Sequence, residues 1–144
     1  MIEEIIYSTV KSDSALKEIL GGTQSDSRVY PNVAQVKSIP CVIYYADAPT
    51  NPINERWAYQ QTISFEIYAK TLSQSLAIQN RLYEIFNKYD DYFNSAALFS
   101  GIIITECHAV NAQVSNNFPL ENEQAVNSIV SFDFKFTKEN NQWP

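Results

Sequence analysis

Glycine is scarce in this chain: Gly21, Gly22 and Gly101 are the only three in 144 residues. Phosphate-cradling loops need several glycines at fixed spacing, so nucleotide-using enzymes lose their usual signature here. Histidine occurs once, at His108, and cysteine twice, at Cys41 and Cys107. That set cannot supply a zinc site at the usual ligand counts. No apolar run approaches the roughly 20 residues that a bilayer-spanning helix requires. Basic residues are also few, with 10 Lys and Arg against 16 Asp and Glu, a net charge of −6 and a pI near 4.7. Such a balance argues against a surface built to grip phosphates. It leaves room for a surface past which nucleic acid slides, where repulsion would help.

What remains is apolar and aromatic. Hydrophobic residues make up 45% of the chain and aromatics 13%, with nine Tyr and eight Phe. A disordered chain would lack the apolar surface to offset its conformational entropy, so a folded protein is expected. The length fits one domain with one core, read here as an α+β unit over residues 1–138 with a polar C-terminal tail at 139–144. Glu3 and Glu4 in an amphipathic first helix do not resemble the basic start and apolar core of a secretory leader. A soluble protein, working in a reducing cytoplasm, is the expectation.

The strongest pattern runs from Trp57 to Ala69. Trp57, Tyr59, Ile63, Phe65, Ile67 and Ala69 fall on one face, broken only by Gln61. Ala58, Gln60, Thr62, Ser64, Glu66 and Tyr68 fall on the other. Side chains alternate with period two along a strand, so this is one long strand with a core side and a wet side. At about 3.3 Å per residue it would reach roughly 43 Å, beyond what a small domain easily covers. Its ends are therefore expected to meet another subunit.

Elsewhere the stripe Ile2, Ile5, Ile6, Thr9 and Val10, continued by Leu16, Ile19 and Leu20, marks a helix broken near Ser12-Asp13 and ended by Gly21-Gly22. Cys41 to Ala46 reads as a strand covered on both faces. Asp47 to Glu55, with Pro49, Asn51, Pro52 and Asn54, reads as a loop or hairpin tip. Ser73 is placed to cap a further helix whose buried stripe is Leu76, Ala77, Ile78, Leu82, Ile85, Phe86 and Tyr89. Ile102 to Val114 reads as a strand, Ser115 to Glu123 as a loop around Asn116, Asn117 and Pro119. Ala125 to Thr137 is the last strand, with Val126, Val130, Phe132, Phe134 and Phe136 inward. Helices and strands segregated in this way predict an antiparallel, or mixed, sheet of about four to five strands with two to three helices on one face.

Residues with chemistry to offer are thinly spread. On a strand His108 shares a face with Ile104, Glu106 and Val110, and Cys107 points the other way. A dyad of Cys41 or Cys107 with His108 stays formally open, because spatial neighbours need not be sequence neighbours. Both cysteines fall in expected strands and read as buried free thiols, with an inter-strand disulfide as the alternative. The carboxylate pairs Glu3-Glu4 and Asp90-Asp91 sit at helix ends, where the helix dipole or plain solvation accounts for them. The inward aromatics read as core rather than as a base-stacking platform, since no basic groove accompanies them.

The order of segments is itself recognisable. A helical N-terminus ends in Ala15-Leu16-Lys17-Glu18-Ile19-Leu20-Gly21-Gly22. There follow Arg28-Val29-Tyr30-Pro31, then Ile39-Pro40-Cys41-Val42-Ile43-Tyr44-Tyr45, then the long strand ending Ile63-Ser64-Phe65-Glu66-Ile67-Tyr68-Ala69, and a helix with Arg81-Leu82-Tyr83. This order resembles the tail-terminator, or tail-completion, proteins of tailed bacteriophages and prophages over about residues 1 to 90. Beyond residue 90 the likeness is carried only by the succession of two strands. The resemblance implies a ring, typically hexameric, at the head-proximal end of the tail. Such a ring caps the tube, ends its polymerisation and offers a surface to the head connector, with no catalysis and no cofactor. Its partners would be copies of itself, the tail-tube protein and the head connector or neck protein, with DNA only as passing cargo and no membrane.

On that reading the loops Asp47 to Arg56 and Ser115 to Glu123 are the candidate contacts. Pro49, Asn51, Asn54, Arg56, Trp57, Asn117 and Phe118 are the residues singled out, because loops on rigid scaffolds carry interactions. Glu66 and Asp133, on polar strand faces, are candidates for an acidic channel lining. Trp143, in the tail, is either a partner anchor or part of a frayed end. Two other readings remain: a head-completion or neck connector of related architecture, and a small α+β hydrolase or ligand-binding domain using His108.

Overall fold

The computed structural model describes residues 3–23, 26–31, 39–50, 58–87, 102–120 and 123–138. Its elements run α1 (Glu3–Ser12), α2 (Ser14–Leu20), β1 (Val29–Pro31), β2 (Cys41–Ala46), β3 (Ala58–Ala69), α3 (Leu72–Asn87), β4 (Ile102–Leu120) and β5 (Glu123–Lys138). The strands form one five-stranded sheet in the order β1-β2-β3-β5-β4. Only β1 and β2 pair in parallel; the other three pairings are antiparallel. The expected α+β class and mostly antiparallel sheet are therefore present. Residues 139–144, with Trp143, lie outside the described set.

The break between α1 and α2 is a cap. Asp13 leaves the helical region, and its Oδ2 accepts from the backbone N–H of Leu16 at 2.8 Å. At the other end Gly21 takes a left-handed backbone at φ 69. Its N–H and that of Gly22 donate to the carbonyls of Glu18 and Lys17, at 3.2 and 2.9 Å. This double bond pattern satisfies carbonyls that a helix end leaves open, at a backbone position glycine occupies without strain. Gly22 is needed for space: an added Cβ would sit 2.9 Å from the Ser27 carbonyl oxygen.

One face of the sheet carries the main core. Ile63, Phe65 and Ile67 of β3 and Val130, Phe132, Phe134 and Phe136 of β5 are buried there with Ile6, Val10, Leu16 and Leu20 of the first helices and Ile78, Leu82 and Phe86 of α3. Burying each such side chain contributes about 1.5–3 kcal/mol. The Phe86 ring packs against Phe65, Phe132 and Phe134 at centroid separations of 5.7, 4.7 and 5.4 Å. The alternation of β3 and β5 is thus as expected, and Gln61 is buried at 1% exposure. Its amide donates to the Asp47 carbonyl at 2.7 Å, which satisfies the polar group that interrupts the apolar row.

Three expectations change. The cap of α3 is Thr71, whose Oγ1 accepts from the Gln74 N–H at 3.1 Å; Ser73 lies inside the helix. Of the expected stripe Ile78, Leu82, Ile85 and Phe86 are buried and Tyr89 lies outside the described residues, but Ser75, whose hydroxyl bonds that of Ser128 at 2.8 Å, is buried in place of Leu76 and Ala77. Gln79 is buried on the same side as Ser75, while Leu72 and Leu76 face outward at 52% and 42% exposure with Ala77 exposed beside them. Finally, residues 115–120 are strand rather than loop: β4 continues to Leu120, which pairs with Glu123. Asn116 and Asn117 fall within a register shift between Ser115 and Phe118, so these turn-favouring residues are accommodated as an irregularity of the ladder.

Candidate assembly surfaces

The face of β3 and β5 opposite the helices carries a row of hydrogen-bonded polar side chains. The register sets Thr62 against Asp133, Ser64 against Ser131 and Glu66 against Ile129, so outward residues of the two strands meet in pairs. Asp133 accepts from the Thr62 hydroxyl and, at 3.3 Å, from the Gln60 amide. The Ser64 and Ser131 hydroxyls bond at 2.8 Å. Glu66 accepts from the Tyr45 hydroxyl of β2, from the Tyr68 hydroxyl of its own strand and, at 3.1 Å, from the Asn127 amide of β5. Both channel candidates are therefore half-buried carboxylates held by neighbouring donors, where simple solvated charges would have sufficed for the alternation.

A small second core lies toward β2 on this face: Ile39, Cys41, Ile43 and Tyr68 are buried, with Tyr30 and Tyr45 packed against them. Burial and then the bond to Glu66 raise the Tyr45 hydroxyl from 10.0 to about 12. The same causes push Tyr68 higher still. Burial also lifts the Cys41 thiol to about 11, opposed by the Arg28 guanidinium. Among the described residues, Asn127 Oδ1 is the one buried side-chain polar atom with no hydrogen-bond partner.

Asp47 to Thr50 stay alongside β3. The N–H and carbonyl of Thr50 exchange bonds with Gln60, at 2.8 and 2.7 Å, and the Asp47 N–H donates to Thr62 at 3.0 Å. Pro49 sits half-buried within this extension. Asn51, Asn54, Arg56 and Trp57 lie outside the described residues.

Asn117 and Phe118 belong to a hairpin arm. The β3–β5 pairing ends at Ala69 against Val126, whereas β4 and β5 stay paired to Leu120 and Glu123. Past that point, among the described residues, the two strands pair only with each other. The arm is three residues on the β5 side, Glu123 to Ala125, roughly 10 Å at 3.4 Å per residue, and among the described residues no other strand pairs with either of its edges. Open edges present unpaired N–H and C=O groups that can pair with another chain.

The topology keeps Cys41 and His108 apart. Cys41 on β2 is three strand positions from His108 on β4, about 14 Å at the usual inter-strand spacing, which removes that dyad. Cys107 is buried in the main core, and both cysteines are free thiols. Register places His108 opposite Asp133 and Glu106 opposite Lys135, but Ile104 opposite Phe136. The ladder has a register shift between Ile104 and Glu106. Among the described residues no three His, Cys, Asp or Glu gather as a metal site, and no helix is long and apolar enough to cross a membrane.

The partners of Glu66 and Asp133 were invisible in the sequence. Their one signal was the run of outward polar residues on both strands, and only the register says which of them touch. No protein-family model and no curated protein matches the chain.

Proposed function

We propose that this protein is a structural component of a tailed-phage virion, located at the head-proximal end of the tail and assembled in the host cytoplasm. Copies close into a ring, hexameric on the resemblance, that caps the tail tube, ends its polymerisation and forms the surface joining tail to head. It works without catalysis or a cofactor. The observation that carries this reading is the β4–β5 arm, whose strands run past the end of β3 with no third strand beside them among the described residues. A heterologous contact, in which an arm on one subunit meets a different surface on the next, generates a closed ring when the rotation closes. The arm, with Asn117 and Phe118, and the β2–β3 extension around Pro49 are the contacts we assign to it, with Asn51, Asn54, Arg56 and Trp57 continuing that extension in sequence.

The polar row on β3 and β5 is the surface we assign to the lumen. Glu66 and Asp133 are fixed there by hydrogen bonds, and a chain of net charge −6 repels the phosphates of passing DNA. A head-completion or neck connector is the second reading, since an open-edged arm would serve either junction. Co-sedimentation separates them. A terminator pellets with polymerised tail-tube protein, whereas a neck protein binds the portal side and ignores the tube. Binding to neither would remove both.

A further inference from the structure

Three neutral donors converge on Glu66. The Tyr45 hydroxyl of β2 donates to Oε2, and the Tyr68 hydroxyl of β3 and the Asn127 amide of β5 donate to Oε1. Three adjacent strands therefore fix the carboxylate on the outer sheet face. None of them brings a positive charge. Among the described residues no lysine, arginine or histidine forms an ion pair with Glu66. Arg28, which faces the neighbouring Cys41 thiol, turns a donor to the Pro40 carbonyl at 3.3 Å. A half-buried anion is left with hydrogen bonds and no countercharge.

Asn127 supplies the independent observation. The residue is only 9% exposed, and its Oδ1 is buried with no hydrogen-bond partner, although Nδ2 of the same amide reaches Glu66 Oε1 at 3.1 Å. Turning the amide over does not repair this. It would set Oδ1 against Oε1, acceptor facing acceptor, and leave Nδ2 in the unpartnered place. A cation meets both the orphan oxygen and the unbalanced carboxylate. From the amide bond lengths, Oδ1 is at most about 5.4 Å from Oε1. Two oxygens on opposite sides of one calcium ion, each at 2.3–2.6 Å, stand roughly 5 Å apart. We infer that Glu66 and Asn127 form a calcium site on the outer sheet face, in which Glu66 supplies the charge, Asn127 Oδ1 a second protein ligand and water the remainder. Calcium suits a partly buried pair because it takes oxygen ligands in flexible geometry, whereas magnesium gives up its waters reluctantly. With a single carboxylate the site is weak, in the range of about 10⁻⁴–10⁻³ M. The inference does not depend on the phage reading.

The test is an amide NMR titration of the full chain with calcium chloride, set against magnesium chloride at the same concentrations. Saturable shifts centred on Tyr45, Glu66, Tyr68 and Asn127 are expected, with magnesium at least tenfold weaker. Glu66→Gln should abolish them. Asn127→Asp, which adds a second carboxylate where the orphan oxygen lies, should bind calcium at least tenfold more tightly, a gain that a purely structural asparagine would not show. Shifts absent from this cluster, or scattered over the exposed acids, would overturn the inference. So would equal binding of magnesium, undiminished binding by Glu66→Gln, or no gain in Asn127→Asp. Should either variant fail to fold, the wild-type titration decides alone.

Discussion

Arg81 of α3 grips Asp13 with two donors. Its Nε and Nη2 reach the two carboxylate oxygens at 2.8 and 2.7 Å, while Nη1 bonds Glu84 at 2.8 Å. The same Asp13 carboxylate caps α2 through the Leu16 N–H, so one side chain ends a helix and ties it to a helix 68 residues away. Asp13→Ala should cost about 2–3 kcal/mol, the cap contributing about 1 and the planar charge-assisted pair the rest. Arg81→Lys keeps the charge but loses the fork, and should cost about 1 kcal/mol. Urea unfolding with an unchanged slope is the measurement. No measurable loss in Arg81→Lys would show that the fork geometry is irrelevant.

Phe134 is fully buried among Phe86 and Phe132. Phe134→Asp places an unpaired charge in that core and should abolish cooperative folding. Phe132→Ala removes one ring and should cost about 3–5 kcal/mol. Near-wild-type melting of Phe134→Asp would mean that β5 presents its other face to the helices.

Stability should fall on the alkaline side. Cys41 is raised from 9.0 to about 11, and Tyr45 from 10.0 to about 12. In each case the unfolded chain releases its proton before the folded one does, so from about pH 9 to about pH 12 the unfolded state binds fewer protons and stability drops as pH rises. Below pH 9 these groups contribute no slope. Tyr45→Phe/Tyr68→Phe should flatten the fall above pH 10, read as melting temperature against pH. A slope unchanged by the double variant would detach it from the Glu66 cluster.

The arm makes a separable prediction. Replacing residues 116–125 with a two-residue hairpin turn removes strand that, among the described residues, pairs only within the hairpin. The variant should melt within about 1 kcal/mol of wild type, as surface changes away from packed features usually do, yet fail to assemble on tails. Full assembly by this variant would take the arm out of the interface.

Where one face of an element is dry and the other wet, the pattern was legible. Ile63, Phe65 and Ile67, and Phe132, Phe134 and Phe136, announced their strands and their facing. Ser12-Asp13 and Gly21-Gly22 marked the ends of α2 by cap chemistry, and Asp13 and Gly21 are the caps that form. In α3 Ile78, Leu82, Ile85 and Phe86 were legible, whereas the burial of Ser75 in place of Leu76 and Ala77 was not, because its partner Ser128 comes from a distant strand. The arm was hidden by Asn116, Asn117 and Pro119, whose turn preferences are overridden by pairing on either side of the irregularity. Glu66 and Asp133 were visible as outward acids. Their donors come from other strands, and long-range register is not written in any local window.

Electron microscopy of tail tubes polymerised with and without this protein tests the terminator role most directly. Tubes of defined length, bearing ring density at one end with arms contacting neighbouring subunits, are the expected result. Tubes of unaltered length with no bound ring would contradict it.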